Sequence, residues 1–364
     1  MSRGTQAIVH LQALRHNLGV VRAHAAASKV MAVVKADGYG HGLERVARVL
    51  ADGADAFGVA YTEDARRLRD IGLDHRIVLL SGVIDPDDLA EVRRLDAEIV
   101  VHDPGQLALL ECNGASKPLK VWLKIDTGMH RLGFDPAEAR AVHARLRALP
   151  HVDPDIVLMT HFASSDVAGD PRTRAQQALF QRTVDALPGA RTLANSAALL
   201  GWPDSHADWV RAGGLLYGIS VIEGRTGSDL GLHPAMTLRS RLIAVKRVAR
   251  GERVGYGGDF VCPDDMRIGV VAIGYGDGYP RHVAGGTQVL VNGQPAGIVG
   301  RVSMDLVSVD LRGQPEARVG DPVVLWGRGL PVETIAAQAG TIGYELTCGM
   351  TRRVRFVEDD QPLD

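Results

Sequence analysis

Two short segments hold three cationic side chains placed where they could do chemistry. The first, K-A-D-G-Y-G-H-G at Lys35–Gly42, sets a lysine at the end of the apolar run Val30–Val34 and follows it with glycines at alternate positions. An amine held in an apolar pocket is pushed toward neutrality and can then form an imine with a carbonyl compound, while the glycines let backbone approach a bound group closely. A dinucleotide-binding loop is a poorer reading, because the third glycine falls one residue early for G-x-G-x-x-G. A solvated lysine at a strand end would look the same in isolation, so the residues alone leave both roles open. The second segment, L-K-I-D-T-G-M-H-R-L-G-F at Leu123–Phe134, adds Lys124 and Arg131.

These groups need elements to position them. Short apolar runs alternate with helical patterns: Val30–Val34, Ala56–Ala60, Ile77–Leu80, Glu98–Val101, Val121–Ile125, Ile156–Met159, Thr192–Ala194 and Trp209–Val210. Eight parallel strands with intervening helices predict an α/β fold, a (β/α)8 barrel of the TIM type, whose active sites lie at the C-terminal strand ends. Lys35, Lys124, His161, Asn195, Ser196 and Arg211 fall at or just past such ends. From about His233 the pattern becomes closely spaced β runs: Leu242–Val245, Ile268–Ile273, Val289–Val291, Ile298–Val302 and Leu306–Val309. Asn292-Gly293 predicts a two-residue hairpin, and a helix is expected near Pro331–Ala339. The expected division is a barrel over residues 1–230 and a mainly β domain over 231–364.

Composition narrows the function classes. The 364 residues are 46% hydrophobic and 23% charged, with 41 Lys and Arg against 43 Asp and Glu. No block of one charge calls for nucleic acid, and no stretch is apolar and long enough to span a bilayer, so small molecules are the expected partners. Cys112, Cys262 and Cys348 are odd in number and far apart, which supports neither a disulfide framework nor a metal site. Arg22, His24 and Lys29 interrupt the only N-terminal apolar stretch, so a cytoplasmic location is expected.

Both chemical segments closely resemble signatures of the alanine racemases. The resemblance continues in order through T-H-F-A-S-S-D (Thr160–Asp166), A-N-S-A (Ala194–Ala197), V-R-A-G-G-L-L-Y-G (Val210–Gly218), V-G-Y-G (Val254–Gly257), G-Y-G-D-G-Y-P-R (Gly274–Arg281), G-R-V-S-M-D (Gly300–Asp305) and Y-E-L (Tyr344–Leu346). Ala212 and Ser303 depart from the family pattern, where proline and cysteine are frequent. The resemblance implies a racemase dependent on pyridoxal phosphate that interconverts L- and D-alanine, for wall synthesis or alanine catabolism. It implies Lys35 as the cofactor lysine and proton carrier on one face of the substrate, with Tyr256 of a second subunit on the other. Tyr39, Ser196, Gly213, Gly214 and Tyr344 would form the phosphate pocket. Arg131 would contact the cofactor's phenolic oxygen and the substrate carboxylate, Met304 would add a backbone contact from the second subunit, and Lys124 would be a carbamate orienting Arg131. The working unit would be a homodimer with shared sites.

A phenol, with an ordinary pKa of about 10, needs nearby cations to act as a base near neutrality. The resemblance supplies a chain from Tyr256 through His161 to Arg211 at the pyridine nitrogen. A guanidinium there donates without surrendering its proton, which weakens the ring as an electron sink and favours quick reprotonation over side reactions. A basic amino-acid decarboxylase or a broader racemase is the nearest alternative. A decarboxylase has no need of Tyr256, and a small cofactor-carrying barrel would lack the β domain.

Overall fold

The computed structural model describes residues 4–25 and 27–363 and divides into two compact units. One comprises residues 17–216 and 221–225; the other comprises the chain up to 16, residues 217–220 and the chain from 226 onward.

The first unit is the expected closed barrel. Its strands, in order around the ring, are β2 (Lys29–Val33), β3 (Ala56–Val59), β4 (Arg76–Leu79), β5 (Glu98–Val101), β6 (Val121–Lys124), β7 (Val157–Met159), β8 (Arg191–Thr192) and β9 (Trp209–Ala212), following a strand β1 (Gln6–His10) that lies outside it. All neighbours are parallel, and β9 closes on β2 with Met31 opposite Arg211. Each of the eight apolar runs read from the sequence is a barrel strand.

Three connecting helices begin with the same dipeptide, Asp85-Pro86, Asp103-Pro104 and Asp170-Pro171. Each aspartate accepts a hydrogen bond from a first-turn backbone N–H (2.7–2.8 Å), and each proline fills a helical position whose N–H would have no partner. The barrel interior is filled by Met31, Ala56, Val78, Val100, Trp122, Val157, Met159 and Trp209. Trp122 and Trp209 meet edge to face, centroids 5.4 Å apart. Burial of such side chains stabilises by roughly 1.5–3 kcal/mol each.

The second unit is mainly β, built on the long strand β10 (Met236–Val248). Strand order is β15 (Gln294–Gly297), β14 (Gln288–Val291), β17 (Pro322–Trp326), β10, β1, β18 (Arg355–Asp359), with β13 (Met266–Val271) joining β10 to β16 (Val307–Asp310). A separate ribbon pairs β11 (Arg253–Val254) with β12 (Phe260–Val261). The N-terminal strand, which the sequence reading assigned to the barrel segment, pairs here instead, antiparallel to β10 and parallel to β18. His10 fastens that junction through Thr237 Oγ1 and Asp359 Oδ2, both at 2.8 Å. The Asn292-Gly293 turn joins β14 to β15, with Asn292 at φ 50° and Gly293 at 77°. The run Ile298–Val302 forms no strand; it makes one bridge, Ile298 to Val309, and then turns away at Gly300, φ 69°. The expected helix spans Val332–Gln338. No helix among the described residues is long and apolar enough to cross a membrane.

Candidate active site

The two-residue period that builds the barrel core also builds what lies above it. Trp122 and Trp209 point into the apolar layer, so Lys124 and Arg211, two residues onward in the same strands, point inward above them. His161 follows Met159 in the same relation, just past β7.

Arg211 is buried and fully engaged. Its Nη1 donates to Thr192 Oγ1 (2.5 Å), and its Nη2 donates to the carbonyls of Thr160 (2.8 Å) and Leu193 (3.0 Å) and to His161 Nδ1 (3.2 Å). All of these acceptors are uncharged, and no carboxylate among the described residues pairs with it. Burial pushes the guanidinium down to about 9, which still leaves it cationic at neutral pH. Because arginine can only donate, His161 Nδ1 must accept, and the imidazole proton sits on Nε2. Burial, and then the charges of Arg211, Lys124, Arg131 and Lys35, hold His161 well below its ordinary value, so the ring is neutral. Lys124 is pushed down to about 8, first by burial and then by Arg211, Arg131 and Lys35, with Asp126 opposing.

Lys35 opens an unusual turn. Ala36, Asp37, Gly38, Tyr39 and Gly40 all have positive φ, between 52° and 79°. Left-handed backbone costs about 1–2 kcal/mol for each residue with a Cβ, so Ala36, Asp37 and Tyr39 together cost about 3–6 kcal/mol. The turn is held by Gly38 N–H to Val34 O (2.9 Å), Gly40 N–H to Ala36 O (3.0 Å) and Gly42 N–H to Asp37 O (2.8 Å), and by Arg67 on the Asp37 carboxylate (2.7 Å). Its effect is to bring Tyr39 back toward β9.

There Ser196, Gly213 and Tyr39 converge. Asn195 caps the helix Ser196–Gly201 by accepting from Ala198 N–H (3.0 Å), and Ser165 Oγ in turn steadies the Asn195 side-chain oxygen (2.9 Å). Gly213 N–H donates to Ser196 Oγ at 2.7 Å. A Cβ on Gly213 would stand 2.5 Å from the Tyr39 hydroxyl, so only glycine leaves room for it. Hydroxyls and backbone N–H groups gathered beside Gly214, which begins a short 3-10 turn, suit a phosphate dianion.

Arg131 sits on a loop organised by Asp126, a residue to which the sequence reading assigned no part. The Asp126 carboxylate accepts from the backbone N–H of Gly128 (2.9 Å), Met129 (3.1 Å) and His130 (3.1 Å), while Phe134 N–H returns to Lys124 O (2.9 Å). Burial raises the Asp126 carboxyl, but the N–H donors of Gly128 and His130 outweigh it and leave the group below its usual range. The D-T-G tripeptide is a turn signature that could have disclosed this role. The Arg131 side chain is exposed.

The barrel unit thus holds Lys35, Tyr39, Lys124, Arg131, His161, Ser196, Arg211, Gly213 and Gly214 around its C-terminal mouth. Tyr256, Met304 and Tyr344 belong to the β unit. Tyr256 lies between β11 and β12 and is 72% exposed; Met304 is 52% exposed. The Met304 carbonyl accepts from Gly276 N–H (2.9 Å), and Tyr344 lies half-buried on the helix Gly343–Cys348. Among the described residues no cluster of His, Cys, Asp and Glu could hold a metal ion.

Residues 9–221 match the family profile described as alanine racemase, N-terminal domain, and residues 235–358 match the profile of its C-terminal domain. The alanine racemase of Nitrosococcus oceani is 52% identical over 350 residues, covering 96% of this chain and 98% of its own. That of Shewanella sediminis is 51% identical over 354 residues, covering 97% and 99%. The biosynthetic alanine racemase from Pseudomonas aeruginosa superposes with a TM-score of 0.95 at 45% identity, covering 98% of this chain and 99% of that one.

Proposed function

The chain belongs to the alanine racemase family, and on that premise we propose that it interconverts L- and D-alanine, with pyridoxal phosphate held at Lys35 and Tyr256 as the opposing proton carrier. The carrying observation is the cationic layer over the barrel core: Arg211 buried without a carboxylate, with Lys124, Arg131 and Lys35 close enough to depress His161. Such a layer calls for anions, and a phosphorylated cofactor and a carboxylate substrate supply them.

The residues fit the cofactor part by part. Tyr39, Ser196, the Gly213 and Gly214 backbone and Tyr344 would take its phosphate, and Arg211 its ring nitrogen. When bound, the cofactor supplies a conjugated ring that accommodates the electron pair left on the substrate α-carbon. Lys35 Nζ removes or returns the α-proton on one face, and the Tyr256 hydroxyl does so on the other. The neutral His161, accepting from Arg211 at Nδ1, has its Nε2–H free to donate to a phenolate and so to favour that base form. Arg131 orients the carboxylate, with the Met304 backbone adding a donor.

Tyr256 and Met304 support a shared site, because their exposure on the β unit leaves both available to a second copy of the chain. The working unit in this reading is a homodimer. Depressed to about 8, Lys124 presents a neutral amine to carbon dioxide near physiological pH, and the resulting carbamate would give Arg131 an anionic neighbour.

The test is racemisation of single-enantiomer alanine, serine and larger amino acids by purified protein, followed by circular dichroism. Alanine should lose its signal fastest, and Lys35→Ala should abolish the reaction. A protein that racemises none of these, or whose Lys35→Ala variant keeps its rate, overturns the reading.

A further inference from the structure

The barrel has a second charged layer, at the end away from Lys35. Two residues before Val78 and Val100 of the core stand Arg76 and Glu98, which the strand period turns inward beneath them, and Lys120 stands exposed just before β6. A cavity of about 410 Å3 opens beside this floor, lined by these three together with Arg69, Arg93 and Asp96. That is the size of a pocket for a small organic molecule.

Its charges do not cancel. Glu98 is spent on Arg76, which grips it with Nε and Nη2 at 2.6 and 2.8 Å, and on the Trp122 indole N–H at 2.7 Å. Asp96 is spent on Lys117 at 2.6 Å. Arg69 gives its donors to the backbone carbonyls of Leu73, His75, Leu95 and Asp96, so its charge meets dipoles rather than a carboxylate. Arg93 donates from Nη2 to Asn113 O at 2.6 Å, again a backbone carbonyl. Among the described residues Lys120 makes no ion pair either. Three cations therefore face one further carboxylate, Asp74.

We propose that this floor cavity binds a phosphate-bearing small molecule, with Arg93 and Lys120 as its principal donors. A phosphate dianion matches the surplus charge, and the volume leaves room for a small organic group beyond it. The site lies at the N-terminal ends of β4, β5 and β6, far along the barrel from the groups that handle the α-proton. Its occupant would tie the helix Pro86–Arg94 to the start of β6 and so stabilise the barrel rather than enter the reaction.

The holoenzyme, saturated with pyridoxal phosphate so that the phosphate pocket at the other end is filled, is titrated by calorimetry with inorganic phosphate and separately with ribose 5-phosphate, using chloride at matched ionic strength as the reference. Saturable binding at or below about 1 mM is expected for at least one. Equal affinities would identify a free oxyanion as ligand, and a preference for the sugar phosphate would identify a phosphorylated metabolite. Lys120→Glu, at an exposed position that tolerates the change, should weaken binding at least tenfold and abolish the accompanying rise in Tm, with racemisation in the absence of ligand unchanged. Arg93→Gln should weaken it similarly. Absence of saturable binding by both probes, or binding that Lys120→Glu and Arg93→Gln leave intact, overturns the proposal.

Discussion

Replacing Gly213 by alanine adds one methyl group at the point where the proposed phosphate cradle is narrowest. Its Cβ would stand 2.5 Å from the Tyr39 hydroxyl, whereas ordinary contact begins at 3.4 Å, so the hydroxyl must retreat by about 0.9 Å. Gly213 does not have positive φ, so alanine adds no backbone strain, and the N–H donated to Ser196 Oγ remains. A hydroxyl moved by about 0.9 Å from an optimal 2.7 Å contact no longer hydrogen-bonds. Losing one hydrogen bond to a charged group costs about 1.5–3 kcal/mol, which corresponds to a roughly 10- to 150-fold rise in the dissociation constant for pyridoxal phosphate. The measurement is titration of dialysed apoprotein with the cofactor, followed by absorbance, together with the apoprotein Tm, which should be nearly unchanged. Tyr39→Phe should show a comparable loss, and the double variant should be no worse than Tyr39→Phe alone, because both act through one hydroxyl. If the two losses add, or if Gly213→Ala binds within about twofold of the parent, the hydroxyl does not hold the phosphate and the cradle is misassigned.

Three further outcomes are expected. Lys35→Ala and Tyr256→Ala should each be nearly inactive, yet after unfolding together and refolding in equal amounts they should recover on the order of a quarter of the parent activity, since random pairing makes half the dimers mixed and gives each mixed dimer one intact site; no recovery despite verified subunit exchange would place both residues in one chain. With Lys124 titrating at about 8, its neutral amine, and hence carbamate formed in bicarbonate buffer, should increase as pH rises from 7 to 9, read as a carbonyl signal after 13C labelling; unmodified Lys124 beside a well-ordered Arg131 in a high-resolution map would refute this. His161 is held well below its ordinary value, so it stays neutral across the working range: the pH profile of kcat should show no step near 6.5 that His161→Gln removes, and such a step would contradict the assigned neutral ring.

The barrel was legible because its strands are buried on both faces and therefore read as continuous apolar runs, and the signature segments sit where those runs end. Lys35, Lys124 and Arg211 could be named from their positions after such runs, with no knowledge of their partners. Tertiary structure decided what surrounds them. Asp126 looks like any loop aspartate until the loop closes over it and directs three N–H groups at its carboxylate. Strand β1 carries an ordinary amphipathic pattern, and nothing local tells it to cross to the β unit; its pairing with β10 and β18 joins residues more than 200 positions apart. The left-handed Ala36, Asp37 and Tyr39 after Lys35 are equally invisible, because none of them prefers that conformation, and only the hydrogen bonds and packing of the finished barrel mouth hold them there. Residue identity, local period and turn chemistry are properties of neighbours in the chain. Charge balance, burial and strain are properties of neighbours in space, and they appear only once the barrel is closed.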